Sequence, residues 1–242
     1  MKYFQKNIFC LTLLLLSSIT VYAKNSNDIA ALSQWHSGDV VSMEGVNHFG
    51  INRCFCSNLI SDAIYKRIYN KSYKSNCTIP RSSLRYIKVL HYTLSGQIRI
   101  GELICNKAIA ADLVEIFREL FAAHYPIERM VLIDEYNADD ELSMSHNNTS
   151  CFNFRTMTGG KSLSKHAKGL EIDINPLYNP YVKVSHNGIF VKPKNGKAYA
   201  DRSRNFSYKI DRKDLCYRLF IKHGFRWGGA WRSHQDYQHF EK

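Results

Sequence analysis

Beyond a single run at Ile8–Leu16 the chain has no long hydrophobic segment, and that run is too short to span a bilayer as a helix. No transmembrane segment is expected in the mature protein. There is no Cys-x-x-Cys, only Cys54-Phe55-Cys56, and no matching cysteine pair at zinc-ribbon spacing, which argues against a cysteine-ligated zinc. Cys10 lacks a lipoprotein-type box, so lipidation is not expected. No aromatic-interleaved basic motif is present, which argues against nucleic acid as a partner. Internal repeats and convincing linkers are missing too. Acidic residues are the scarcer sign, 21 against 33 Lys and Arg, for a net charge of +12. For an exported chain such an excess points to anionic envelope polymers or lipid surfaces.

Residues 1–23 have the form of a signal peptide, with Lys2 and Lys6 ahead of the apolar run and Val21-Tyr22-Ala23 as the cleavage site. The mature protein is therefore expected to be exported, periplasmic or extracellular. Six cysteines remain, Cys54, Cys56, Cys77, Cys105, Cys151 and Cys216. An even count in an oxidising compartment favours disulfides, in a pairing the sequence does not choose.

Apolar positions at helical spacing predict a helix over 57–69, with Ser57 as N-cap. Leu84–Thr93 and Gln97–Cys105 read as strands joined at Leu94-Ser95-Gly96, a hairpin. Asn106 can cap a helix over 107–124, striped by Ile109, Leu113, Ile116, Phe117 and Leu120 and ended by Pro126. Met130–Ile133 reads as a short buried strand. The spans 134–163 and 175–210 are polar and irregular, and loops of that length are usually functional or disordered. Asp211 opens a last helix, stopped by Gly224, and Phe225–Gly228 reads as a strand. Strands before and after a helix suggest an α+β layer rather than repeating β-α units. The simplest division is a signal peptide at 1–23, an N-terminal extension at 24–69 and one catalytic domain at 70–242.

The chemistry concentrates in two stretches. In Ser164-Lys165-His166-Ala167-Lys168-Gly169-Leu170-Glu171-Ile172-Asp173 an imidazole and a carboxylate flank a glycine turn that enters a strand. Alternation there sends Leu170, Ile172 and Ile174 to a core and Glu171 and Asp173 the other way. The second stretch, Trp227 to Glu241, offers the neutral imidazole of His239 as a third ligand and Asp236 three residues earlier as a base. Three protein ligands plus water is the arrangement of catalytic zinc. Zinc brings the pKa of bound water down to about 7, within reach of a carboxylate base. Arg155 could steady an oxyanion beside the metal.

Ser-x-His-x-x-Gly-x-x-x-Asp, followed by Trp-Gly-Gly and Asp-x-x-His-Phe, resembles the zinc D-alanyl-D-alanine carboxypeptidase and L-alanyl-D-glutamate peptidase family, which shares the fold of the hedgehog signalling domain. Asn-Asn-Thr-Ser-x-Phe-Asn-x-Arg at 147–155 and Asp173-Ile174-Asn175-Pro176 are similar to one branch of it, so the resemblance spans roughly 70–242. It implies an antiparallel sheet with flanking helices, zinc held by His166, Asp173 and His239, Asp236 as general base, and Arg155 on the carbonyl oxygen. It further implies Ser164 positioning substrate, Trp231 walling the cleft, and peptidoglycan stem peptides as substrate. The chain departs from the family at Ala230, where a polar residue is frequent. Taken singly, each part has a plainer reading: His166 as a satisfied core or surface residue, Arg155 as a solvated charge, and Trp227, Trp231 and Phe240 as core. Two rivals remain: a catalytically silent zinc-binding envelope module of the same fold, and a disulfide-stapled adhesin, which would leave the motif unexplained.

Overall fold

The structure, a computed structural model, describes residues 26–156, 162–186 and 188–242; the expected signal peptide lies outside them. Strands β1 (Val40–Val41), β2 (Cys56–Leu59), β3 (Leu84–Tyr92) and β4 (Ile98–Asn106) form an antiparallel sheet in the order β1-β4-β3-β2. The expected hairpin is β3 and β4, paired along their full length from Leu84↔Asn106 to Tyr92↔Ile98. Helix Ala110–Ala122 packs on β3. Its stripe of Ile109, Leu113, Ile116, Phe117 and Leu120 is almost fully buried, the outcome a 3.6-residue period dictates for a helix covering a sheet. It starts later than expected: Asn106 Oδ1 accepts from Ala108 N, and the Lys107 amide donates to Ser83 O, so these residues close a turn instead.

Other expectations shift for tertiary reasons. Residues 56–59 pair with β3 as an edge strand, and the helix runs only Asp62–Ile68, capped by Ser61 rather than Ser57. Its first apolar residues answered to a sheet edge, not to a helix face. Met130–Ile133 is buried but forms no strand; Met130 O accepts a single bond from the Glu102 amide. The span 134–163 holds a helix at Asp140–Ser145, and 175–210 holds a hairpin of β6 (Tyr181–Ser185) and β7 (Gly188–Lys192) followed by a 3-10 segment, Lys194–Tyr199. The last helix, Leu215–Lys222, is capped by Asp214, whose Oδ1 accepts from the amides of Cys216 and Tyr217. The segment 24–69 supplies both edge strands of the main sheet.

Two small sheets complete an α+β architecture of antiparallel sheets and flanking helices. One joins β5 (Glu171–Asp173), β10 (His239–Glu241) and β8 (Arg226–Trp227) in the order β5-β10-β8. The other adds β9 (Gln235–Asp236) to the hairpin in the order β7-β6-β9. Among the described residues no helix is long and apolar enough to cross a membrane. The six cysteines are unpaired, contrary to the disulfides expected. Cys54, Cys105, Cys151 and Cys216 are instead buried in the core as small apolar side chains.

Candidate metal centre

The β5–β10 ladder assembles the site. Its register sets His239 opposite Asp173, Phe240 opposite Ile172 and Glu241 opposite Glu171. Because side chains alternate across a strand, the two apolar partners go to the core and the four polar ones share the other face. That face is also covered: Glu171, Asp173, His239 and Glu241 are all buried.

His166 reaches the same place from a four-residue helix, Lys165–Lys168. Ser164 caps that helix through its Oγ, which accepts from the Ala167 amide, and Gly169 ends it in the left-handed region at φ 66°. The His166 Nδ1 donates to the Cys151 carbonyl at 2.5 Å, which turns Nε2 toward the carboxylates. Nε2 lies 2.9 Å from Glu171 Oε1 and 3.2 Å from Asp173 Oδ2, and the other Glu171 oxygen accepts from the His166 amide at 3.0 Å. Donor atoms of His166, Glu171 and Asp173 all lie within 4.8 Å of one another, a cluster able to coordinate a metal ion.

His239 closes the group on the far side of Glu171. Its Nδ1 is 2.6 Å from Glu171 Oε1, 4.0 Å from Asp173 Oδ1 and 3.9 Å from Asp236 Oδ2. Its Nε2 faces Glu241 at 3.6 Å, and Glu241 is itself held by Arg226 at 2.5 Å and approached by Lys165 at 3.5 Å. Asp236 is oriented by Gln238, whose Nε2 donates to Oδ1 at 3.0 Å. Gly228 lets this strand come close, since a Cβ there would meet Asp236 O at 2.8 Å. The Trp231 ring lies 4.7 Å from the His239 ring.

The electrostatics are those of a site short of positive charge. Burial opposes protonation of both imidazoles, yet the charges of Glu171 and Asp173 hold His166 well above its ordinary pKa. Contacts with Glu171 and Glu241 likewise outweigh burial and lift His239 to about 10. Burial and the nearby Asp173 charge push Asp236 up to about 7. Asp173 Oδ1 and both ring nitrogens of His239 are fully buried without a hydrogen-bond partner among the described residues. The close contact of His239 Nδ1 with Glu171 is thus one of charge, not of hydrogen-bond geometry. A buried polar atom left unpaired is costly, and a divalent cation would satisfy these atoms and offset the clustered carboxylates. The residues fit a metal.

Of the residues singled out in the sequence, His166, Asp173, His239, Asp236 and Trp231 are brought together. Ser164 is beside them with its hydroxyl engaged in the helix cap. Arg155 lies on a segment that runs next to His166, since the Asn153 amide donates to His166 O and the Ser164 amide to Arg155 O. Its guanidinium is paired with Asp140 and also donates to Thr156 O. The expected ligand set left out Glu171, whose place was readable from parity: it stands two residues before Asp173 on one strand and so points the same way.

Residues 158–242 match the family described as D-alanyl-D-alanine carboxypeptidase. Comparisons with curated proteins and with solved structures gave no significant match. The matched region contains the whole His166, Glu171 and Asp173 cluster, which together support a metal-dependent peptidase activity.

Proposed function

We propose that the protein is an exported zinc metallopeptidase that hydrolyses peptide bonds of peptidoglycan stem peptides, as a D-Ala-D-Ala carboxypeptidase or an L-Ala-D-Glu endopeptidase, on a hedgehog-like fold. The observation that carries this reading is the set of buried, unpartnered atoms of Asp173 and His239 facing the His166 and Glu171 side chains. His166, Asp173 and His239 would hold the ion. When bound, zinc supplies a Lewis acid for the scissile carbonyl and lowers the pKa of water.

The protein groups do the rest. Asp236, held by Gln238 and close to His239, would take a proton from water and return it to the leaving amine. Trp231 would wall the cleft against His239. Arg155 would stabilise the carbonyl oxygen after release from Asp140, and Ser164 would position substrate by fixing the helix that carries His166. Residues 70–242 would form the catalytic unit, to which 24–69 adds β1 and β2.

Digestion of purified peptidoglycan with and without a chelator, followed by mass analysis of the fragments, tests the reading. Loss of D-alanine or of the L-Ala-D-Glu linkage only in the zinc-loaded sample is the expected result; no cleavage at full zinc occupancy refutes it. Glu171 favours a second reading. As a fourth protein donor it would close the coordination shell, and closed shells belong to structural zinc. The chain would then be a catalytically silent zinc-binding module. In that case Glu171→Gln would weaken zinc binding and no variant would hydrolyse peptide, whereas for a peptidase the variant keeps three ligands and its hydrolysis.

A further inference from the structure

A large cavity among the described residues lies away from the metal centre. It is a groove of about 1200 Å³ between the N-terminal segment and the β2–β3 side of the main sheet, and none of its lining residues belongs to the cluster just described. Five cationic side chains line it, Arg53, Arg67, Lys88, Arg99 and Arg129, against one carboxylate, Glu135. Arg67 is spent within the protein: it forks onto the buried Glu102 and also reaches Glu135. Among the described residues the other four have no carboxylate ion-pair partner. Arg53 lies over the Phe49 ring at 4.3 Å and Lys88 over Trp35 at 4.9 Å, so aromatic faces hold these cations in place without neutralising them. Arg99 donates to Gly38 O and Gln97 Oε1, and its Nε is buried with no partner. Arg99 is thus fixed at the groove by neutral oxygens alone and carries its charge there without a carboxylate partner among the described residues.

We infer that this groove binds a polyanionic chain through its carboxylates, as a second site that holds the polymer while the metal centre acts elsewhere on it. Three guanidiniums suit planar carboxylate recognition, since each offers a fork of donors. The cavity exceeds the roughly 300–1,000 Å³ of ordinary small-molecule pockets, so a chain segment fits better than a lone ion. The choice of polymer rests on the proposed function: peptidoglycan carries a free carboxylate on each successive stem. Engagement at a second site raises the effective concentration of the strand at the first.

The test is co-sedimentation of the mature protein with purified peptidoglycan stripped of phosphate polymers, with a long-chain polyphosphate as comparator. The double variant Arg53→Gln, Arg129→Gln removes two exposed charges at the loss of one long bond from Arg53 to Phe49 O at 3.3 Å and the side-chain contact of Arg129 with Tyr136. Arg99→Gln is the second, more buried variant. Wild type should bind peptidoglycan, less strongly as salt is raised, and the double variant should bind it roughly fivefold or more weakly. Zinc content should not change, nor should turnover on a short soluble stem peptide if the centre is a peptidase. Retention of wild-type affinity by both variants overturns the inference. Binding to polyphosphate but not to peptidoglycan overturns the carboxylate assignment. The binding readout is independent of hydrolysis, so failure of the catalytic reading leaves it standing.

Discussion

Gly169→Ala should destabilise the protein by about 3–4 kcal/mol and loosen its hold on metal. Gly169 sits at φ 66°, where an L-residue costs about 1–2 kcal/mol. A Cβ there would lie 2.7 Å from Asn106 N and 3.1 Å from Cys105 C. These are backbone atoms at the end of β4, and they cannot rotate away as a side-chain tip could. Relief requires the two chains to part, which breaks the Asn106 amide bond to Gly169 O at 2.8 Å and the Asn106 Nδ2 bond to Lys168 O at 3.0 Å, each about 1 kcal/mol. Since Gly169 ends the turn that carries His166, the same parting moves that imidazole relative to Asp173. Gly96→Ala is the control: its φ is 78° and nothing lies within 4 Å of the added carbon, so it should cost the left-handed strain alone. Urea denaturation of both variants, metal-free and zinc-loaded, measures the difference. If Gly169→Ala were no worse than Gly96→Ala, the close approach to β4 would not be what the glycine is for.

Asp236→Asn should keep zinc and fold while turnover on a stem peptide drops about 10²- to 10⁴-fold, measured at matched metal occupancy; near-normal turnover would move the base elsewhere. Glu102→Gln should cost about 2–4 kcal/mol in denaturant unfolding, because Glu102 is fully buried and accepts from Arg67, Tyr86 and Ser37, and its loss leaves Arg67 undercompensated. Asp214 is raised by burial from 3.8 to about 6. The folded state therefore keeps a proton that the unfolded chain releases, so this group's contribution to stability falls as pH rises from about 4 to about 6 and stays lower above that. Asp214→Asn retains an oxygen for the helix cap, removes that decline, and should gain about 1–2 kcal/mol near pH 7 after allowance for solvent screening; a pH series of unfolding free energies that ran parallel in the two proteins would contradict this.

The sequence by itself determined the elements whose signal is local. The β3–β4 hairpin and the stripe of helix Ala110–Ala122 were legible because period and turn chemistry are properties of adjacent residues. His166, Asp173, Asp236 and His239 were legible as a set through residue type and order. What the tertiary structure decided was everything that depends on partners far along the chain. Residues 56–59 became a strand because β3 offered an edge, and the described parts of the spans 134–163 and 175–210 acquired order from contacts that no local period announces. Glu171 entered the metal cluster because the register of β5 against β10 buried a face that alternation alone marks only as polar. Arg155 met Asp140 in the same way. The cationic groove was the least legible, since its walls come from 32 to 136 in the sequence and their charges gather only when the N-terminal segment folds against the sheet.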